Sequence, residues 1–154
     1  MLTFLRLLHI NLHHCKAATA ALQAFVVSKN IDIVLIQEPW IIEGKVCGLT
    51  IGGWTLVHGL DPNPRACLLV KRNLSFLMVR DHCSRDLTTV KIQWMHNSGT
   101  RDLLLGSTYL PYDQKDPSPT LEVKTLMSYA EAHKLQLLLG CDANAHCPQF
   151  YVPY

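Results

Sequence analysis

The sequence predicts an α/β (α+β-like) sandwich in which two packed, mixed β-sheets are flanked by helices. Three observations predict this fold class: a strand–helix–strand order at the start, a run of short strands in the middle, and a helix followed by an apolar strand near the end. The 154 residues suit one domain, and 49% hydrophobic with 17% charged residues is typical of an ordered globular protein.

The start of the chain predicts a βαβ unit. Leu5–Asn11 is apolar and strand-like, and Ile31–Ile36 is a continuous, β-branched run typical of a strand covered on both faces. Between them lies a helical apolar face that ends near residues 28–30. Its members are Ala17, Ala18, Ala20, Ala21, Leu22, Phe25 and Val26. Because a helix connects the two strands, we expect them to be parallel.

The middle of the chain predicts an antiparallel meander. Its apolar segments have strand length, and clusters of glycine, proline, asparagine and aspartate separate them. The predicted strands are Trp54–Val57, Ala66–Val70, Leu74–Val79, Thr88–Trp94 and Leu103–Tyr109. Consecutive strands joined by such turns are expected to pair with one another.

A second helix and a last strand follow the proline-containing loop 111–119. The helix is predicted to begin near Ser118, and Leu135–Cys141 is the last strand. The buried side of the helix is expected to consist of Leu121, Val123, Leu126, Met127 and Ala130. The order strand, helix, strand predicts a second βαβ unit at this end of the chain.

The net charge and the cysteine pattern exclude few functions and locations for this protein. The net charge of +2 and the lack of a dense Lys/Arg block permit nucleic-acid binding without indicating it. Six irregularly spaced cysteines, several inside apolar runs, favour free thiols and an intracellular location. The apolar N-terminus is interrupted at His9, too early for a signal peptide or a membrane span.

Polar side chains follow four of the predicted strands. The first strand ends at Asn11, the second at Gln37–Glu38, the strand before the proline loop at Tyr109, and the last at Asp142 and Asn144. Strand ends of layered α/β proteins gather at one edge, so these residues are expected to converge. Glu38 and Asp142 offer the oxygen ligands that Mg²⁺ or Mn²⁺ prefers, and Asn11, Tyr109 and Asn144 offer hydrogen bonds to phosphate oxygens. This combination points to metal-assisted cleavage of a phosphodiester.

Each of these residues, taken alone, also fits a purely structural role. Glu38, which precedes a proline, could be a solvated residue at a strand end. Tyr109 could be an aromatic residue of the core or of a turn, and Asn11 could cap the approach to the first helix. Asp142 and Asn144 are both common in turns. Only the recurrence of such residues at four strand ends favours a shared site.

A zinc site is an alternative to the phosphodiesterase site. It would use His13, His14 and Cys15 together with Cys141, His146 and Cys147 if the first and last strands are neighbours. No C-x-x-C or H-x-x-x-H spacing accompanies these residues, so the pattern favours this alternative less.

The order of the motifs resembles the endonuclease/exonuclease/phosphatase superfamily, which includes DNase I and the abasic-site endonucleases. The greatest similarity is to the endonuclease domains of non-long-terminal-repeat retrotransposons. The motifs are Ile10–Leu12, Ile36–Pro39, Arg65–Val70, Ser84–Leu87, Ser107–Pro111 and Gly140–His146. They cover nearly the whole chain, from about Leu5 to His146, and their ordered set is more specific than any single motif.

The resemblance implies a DNase I-like fold and a role for each matching residue. Glu38 would be the principal ligand of Mg²⁺ or Mn²⁺, with Asn11 close to it. Tyr109 would contact the scissile phosphate or the leaving group. Asp142 would orient or deprotonate the attacking water, or protonate the leaving oxygen, and Asn144 would hold the phosphate.

Three further residues are secondary candidates. Arg85 and Asp86 would structure the site from a neighbouring strand, and His146 ends the Asp142–His146 motif. The resemblance also has departures: His13 stands where many members have a second carboxylate, and the terminal Ser-Asp-His motif of the family is absent.

The resemblance therefore implies the N-terminal two-thirds of an endonuclease domain, in residues 1–154, without its last strands. We expect a DNA phosphodiester as the substrate, with activity weak or lost because general acid–base help is missing. A reverse transcriptase domain, expected in a full-length relative, does not occur in this sequence. An active retroelement endonuclease would be nuclear. The alternative is an inactive remnant that acts as a binding module or has no function.

Overall fold

The computed structural model describes residues 4–96, 99–112 and 118–144. Within these ranges the chain forms ten strands and two α-helices. They are β1 (Leu7–Asn11), α1 (Lys16–Lys29), β2 (Ile33–Gln37), β3 (Ile41–Ile42), β4 (Lys45–Val46), β5 (Trp54–Val57), β6 (Ala66–Lys71), β7 (Ser75–Met78), β8 (Leu87–His96), β9 (Gly99–Tyr109), α2 (Leu121–Ala132) and β10 (Gln136–Asp142). A short 3-10 helix, Arg80–His82, precedes β8.

The strands form two four-stranded mixed sheets and a small hairpin. The first sheet has the order β1-β2-β6-β5, and the second has the order β10-β9-β8-β7. In each sheet the outermost strand of one side, β1 or β10, runs parallel to its neighbour, and the other pairs are antiparallel. Both predicted βαβ units are therefore confirmed, because β1–β2 and β9–β10 are the two parallel pairs.

The two sheets pack face to face, with one helix on each outer face. Ile33, Leu35, Leu68, Val90 and Leu105 belong to the apolar layer between the sheets. Helix α1 packs Leu22 and Val26 against the outer face of the first sheet, and α2 packs Leu126 and Ala130 against the outer face of the second. This is the predicted α/β sandwich of two mixed sheets flanked by helices. The arrangement buries both faces of β2, as its continuous apolar sequence requires.

The predicted meander is wrong at one point, because the middle strands are divided between the two sheets. Strands β5 and β6 join β2 in the first sheet, whereas β7, β8 and β9 form the second. The chain changes sheet at the turn between β6 and β7, and no local sequence signal marks that change. The hairpin β3–β4 was not predicted; its turn is Glu43–Gly44, with φ of 48° and 72°, as a two-residue hairpin turn requires.

The predicted buried face of α2 is only partly correct. Val123, Leu126 and Ala130 are buried, but Leu121 is 71% exposed and Met127 is 45% exposed. The helix begins at Leu121 rather than near Ser118, because the Thr120 side chain accepts a hydrogen bond from the Val123 N–H and caps it. Leu121 therefore lies in the exposed first turn.

The buried stripe of α1 is also narrower than predicted. Thr19, Leu22 and Val26 are buried, whereas Phe25 is 43% exposed. Neither helix of the described ranges is long and apolar enough to cross a membrane. The five cysteines in these ranges are free thiols: Cys15, Cys47, Cys67, Cys83 and Cys141.

Candidate active site

The carboxyl ends of the two parallel strand pairs lie at the same edge of the sandwich. Asn11, the last residue of β1, is in register with Gln37, the last residue of β2. Tyr109, the last residue of β9, is in register with Asp142, the last residue of β10. The four predicted strand ends therefore form two adjacent pairs, one in each sheet.

A direct hydrogen bond joins the two pairs across the sandwich. Asn11 Nδ2 donates to Asp142 Oδ2 at 2.5 Å, although the two residues are 131 positions apart in the sequence. Asn11 Oδ1 accepts from the His13 N–H at 2.7 Å, so the amide is held at both ends. This structure brings together Asn11 and Asp142 as the sequence predicted; their catalytic roles stay predictions.

Glu38 follows β2 in a left-handed backbone conformation, with φ of 47°. Two backbone hydrogen bonds fix it: its N–H donates to the Arg65 carbonyl, and its carbonyl accepts from the His14 N–H, both at 2.9 Å. Its side chain is 17% exposed, and one carboxylate oxygen lies 3.2 Å from His13 Nδ1. A left-handed glutamate costs conformational energy, which is typical of residues whose position matters for function.

Asn144 also has a left-handed backbone, with φ of 44°. Its N–H donates to Asp142 Oδ1 at 3.1 Å, and its Nδ2 donates to the Leu110 carbonyl at 2.9 Å. Asp142 and Asn144 thus form the Asx-type turn that was the structural alternative for this pair. Both oxygens of the Asp142 carboxylate are therefore fixed: Oδ1 accepts from Asn144 within the turn, and Oδ2 accepts from Asn11.

Tyr109 lies beside an ion pair that the sequence did not predict. The Arg65 guanidinium donates to both oxygens of Asp86, at 2.5 and 2.6 Å, and its carbon atom lies 4.7 Å from the centroid of the Tyr109 ring. The Asp86 carbonyl accepts from the Tyr109 N–H at 2.9 Å. Asp86 therefore holds Tyr109 through both its backbone and Arg65. Arg65 is a single arginine before an apolar strand, and in the sequence such a residue only weakly indicates an ion pair.

The remaining secondary candidates contribute less. The Arg85 side chain is exposed, and its Nε donates to the Asn63 carbonyl at 3.3 Å; its own carbonyl accepts from the Arg65 N–H at 2.7 Å. His146 lies outside the described residues. Gln37 is completely buried at the end of an apolar strand, and the sequence motifs assign it no role. A polar residue in such a run is the signal that could have found it.

Comparison with known proteins identifies the fold. No protein-family model matches the sequence, and no curated protein matches it. The endonuclease domain of TRAS1, a telomere-specific non-LTR retrotransposon, is similar with a TM-score of 0.70 and 23% identity, over 94% of this chain and 61% of that one. D. rerio TDP2 complexed with single-strand DNA product has a TM-score of 0.55 and 14% identity, over 93% and 62%. A D. rerio TDP2 humanized by 14 mutations has a TM-score of 0.57 and 14% identity, over 93% and 63%.

The chain has the fold of these solved structures. The DNase I-like sandwich expected from the motifs is thereby confirmed. The chain spans less than two thirds of the length of these solved structures.

Within this fold, the donor set at the strand ends suits a weakly chelated Mg²⁺ ion. The described residues contain no group of three or more His, Cys, Asp or Glu side chains arranged as metal ligands. Mg²⁺ is commonly bound through one or two carboxylates, with water and substrate phosphate as the other ligands. Glu38 supplies one such carboxylate, which is partly buried and follows directly after Gln37, the register partner of Asn11, so the residues present fit this ion.

The zinc alternative lacks support in the described part of the chain. Strands β1 and β10 belong to different sheets and meet at their ends through the hydrogen bond between Asn11 and Asp142, but the candidate ligands that follow β1 have other contacts. His13 Nδ1 contacts Glu38, and His14 Nδ1 contacts the Pro39 carbonyl. Burial, and then the charge of Asp142, raise the pKa of the Cys141 thiol above its ordinary value. Cys147 and His146 lie outside the described residues.

Proposed function

We propose that this chain belongs to the endonuclease/exonuclease/phosphatase superfamily and acts as a divalent-metal-dependent endonuclease on DNA, with residues 1–154 corresponding to the N-terminal part of such a domain. The observation that carries the proposal is the hydrogen bond between Asn11 and Asp142, 2.5 Å long, at the edge where both parallel strand pairs end. It joins the sheet that carries Glu38, the proposed metal ligand, to the sheet that carries Tyr109, the proposed phosphate contact.

Glu38 is proposed to hold the Mg²⁺ ion, with the Asn11 amide beside it. When bound, the ion polarises the phosphoryl group and steadies the leaving oxygen. Glu38 follows the buried β2 strand with a left-handed backbone, and its side chain is 17% exposed. The contact between His13 Nδ1 and one carboxylate oxygen would have to open for the ion to bind through that oxygen.

Asp142 is proposed to orient the attacking water and accept its proton. The water oxygen forms the new bond to phosphorus, the bond to the leaving oxygen breaks, and the proton passes from the water to the Asp142 carboxylate. Hydrogen bonds from Asn11 Nδ2 and the Asn144 N–H to its two oxygens fix the orientation of that carboxylate. The Tyr109 hydroxyl would donate to the phosphate or the leaving oxygen, and Asn144 would hold the phosphate.

DNA is the proposed substrate because of the proteins that share the fold. One is an endonuclease domain of a retrotransposon, and another is complexed with single-strand DNA product. A chain that nicks chromosomal target DNA would act in the nucleus.

A DNA-binding remnant without catalysis is the second candidate. The contact between His13 and Glu38 favours it, because an imidazole that occupies the carboxylate competes with a metal ion for the same oxygen. This candidate predicts binding of DNA without cleavage.

The test is nicking of supercoiled plasmid by purified protein, with and without Mg²⁺. The wild type is expected to nick only with the metal, and Glu38→Gln to reduce the rate by about 10³-fold, the equivalent of about 4 kcal/mol of metal stabilisation. Glu131→Gln, the same change at an exposed position on α2, is the control and should cut at the wild-type rate. Equal cutting by the wild type and Glu38→Gln would defeat the proposal. Binding without cutting by the wild type would establish the second candidate.

A further inference from the structure

The Gln37 side chain links all four strands that carry the candidate site. Gln37 is 0% exposed, and a buried amide is costly unless its hydrogen bonds are satisfied. Its Oε1 accepts from His9 Nε2 at 2.6 Å, and its Nε2 donates to Ser107 Oγ at 2.9 Å and to the Gly140 carbonyl at 3.2 Å. The three partners belong to β1, β9 and β10, and Gln37 itself ends β2.

Each partner of Gln37 precedes a site residue on the same face of its strand. His9 is two residues before Asn11, Ser107 two before Tyr109, and Gly140 two before Asp142. Alternate residues of a strand point to the same side, so the amide lies one layer beneath the site on each of these strands. Glu38 is the residue directly after Gln37.

The donors and acceptors leave one orientation for this amide. Ser107 Oγ donates to the Ile36 carbonyl at 2.7 Å, so it must accept from Gln37. Gly140 is required beside it: a Cβ there would lie 2.8 Å from Leu35 Cβ and 3.0 Å from His9 Cδ2. The spacing between the two sheets at this edge is thus set by directional hydrogen bonds and by a glycine, in contrast to the apolar layer further in.

We propose that Gln37 is a positioning residue for the candidate active site. It holds the ends of β9 and β10 against those of β1 and β2 at the spacing at which Asn11 can donate to Asp142. The proposal rests on the proposed function for its effect on catalysis, but its geometric part does not.

The geometric part is tested by the coupling between Asn11 and Asp142. A double-mutant cycle with Asn11→Ala and Asp142→Ala, read by denaturant unfolding, measures that coupling in the wild type and in Gln37→Met. Methionine has a similar volume but makes none of the three hydrogen bonds. The coupling is expected to be lost in Gln37→Met and kept in Ile92→Ala, a control that weakens the apolar layer between the sheets away from this edge. Retention of the coupling in Gln37→Met would overturn the proposal, as would equal loss in Ile92→Ala.

The catalytic part is tested by kcat and KM for Mg²⁺-dependent nicking. Gln37→Met is expected to lower kcat by about 10²-fold with little change in KM, since misplacement by about 1 Å has that effect on a reacting geometry. The control Ile92→Ala should keep its kcat. An unchanged kcat in Gln37→Met would contradict this part.

The two proposals fail in distinguishable ways. If the wild type does not nick DNA, the proposed function fails, and the coupling of Asn11 to Asp142 still decides whether Gln37 positions them. Should Gln37→Met not fold, Ser107→Ala takes its place, because it removes one of the three partners of the amide and is read by the same two measurements, with the same results for or against.

Discussion

The two sheets are held together by one kind of interaction in the interior of the sandwich and by another at the edge where β1, β2, β9 and β10 end. In the interior the contact is wholly apolar, with Leu35, Leu68 and Leu105 at most 3% exposed. At the edge it consists of hydrogen bonds from Asn11, Gln37, Ser107 and Thr88, the last two to the carbonyls of Ile36 and Ala66. Apolar burial is non-directional and supplies free energy, whereas hydrogen bonds fix distances and angles. The interior therefore accounts for stability, and the edge for the geometry of the site.

The edge also carries backbone strain that the interior does not. Four non-glycine residues near it have positive φ: His13, His14, Glu38 and Asn144. Such residues cost of the order of 1–3 kcal/mol each and persist only when the surrounding structure holds them. Mutations in the two regions should consequently separate stability from activity.

Asp142→Asn should have the largest effect, and on rate alone. Loss of a group that accepts a proton is expected to slow Mg²⁺-dependent nicking by about 10²–10⁴-fold. The unfolding free energy should change by less than about 1 kcal/mol, because the amide oxygen can still accept from Asn11 and water can replace the exposed bond from the Asn144 N–H. The matched control Asp102→Asn, on β9 beside Lys91, should nick normally. Wild-type activity in Asp142→Asn would show that Asp142 does not accept a proton in the reaction.

Leu105→Ala should show the opposite behaviour, losing stability. Leu105 is 0% exposed between the sheets, so its truncation should lower the unfolding free energy by about 2–5 kcal/mol in urea denaturation. Leu138→Ala, on the edge strand β10 and 41% exposed, should lose much less. Similar losses in the two variants would mean that the layer between the sheets is not the main source of stability.

Glu38→Gly should stabilise the protein while abolishing its activity. Glycine adopts φ near 47° without steric cost, so the unfolding free energy should rise by about 1 kcal/mol. Glu131→Gly, inside α2, should instead lower it by about 1 kcal/mol. A loss of stability in Glu38→Gly would show that the left-handed glutamate is not strained.

Thr89→Val should give the smallest change. Among the described residues, Thr89 Oγ1 is a buried side-chain atom without a hydrogen-bond partner, so its replacement by a methyl group should raise the unfolding free energy by about 1 kcal/mol. The neighbouring Thr88→Val should lower it by about the same amount, since Thr88 Oγ1 donates to the Ala66 carbonyl at 2.9 Å. Thermal unfolding of both variants tests the sign.

The local elements could be predicted from the sequence because their signals are local. The apolar run in β2 and the helix between β1 and β2 predict the parallel pair without knowledge of distant residues. The division of the middle strands between two sheets could not be predicted, since it depends on β6 pairing with β2, some thirty residues earlier. The exposure of Leu121 and Met127 depends on which stripe of α2 meets the sheet, which periodicity alone leaves open.

The convergence of the strand ends could be predicted from the sequence, but the contacts between their side chains could not, and the catalytic roles stay predictions. The polar residues at four strand ends indicated convergence, and Asn11 does meet Asp142. The pairing of His13 with Glu38, and the clamp of Arg65 on Asp86 and Tyr109, involve side chains whose approach follows from the three-dimensional packing. The left-handed backbone of Glu38 was unpredictable for another reason: glutamate seldom adopts it.

The most direct test of a metal site at this edge is paramagnetic line broadening by Mn²⁺ in ¹H–¹⁵N NMR spectra. Broadening at low Mn²⁺ concentration is expected to centre on the amides of Asn11, Glu38 and Asp142, and excess Mg²⁺ or Glu38→Gln is expected to abolish it. Broadening centred elsewhere, or unchanged by Glu38→Gln, would contradict the assignment of Glu38 as the metal ligand.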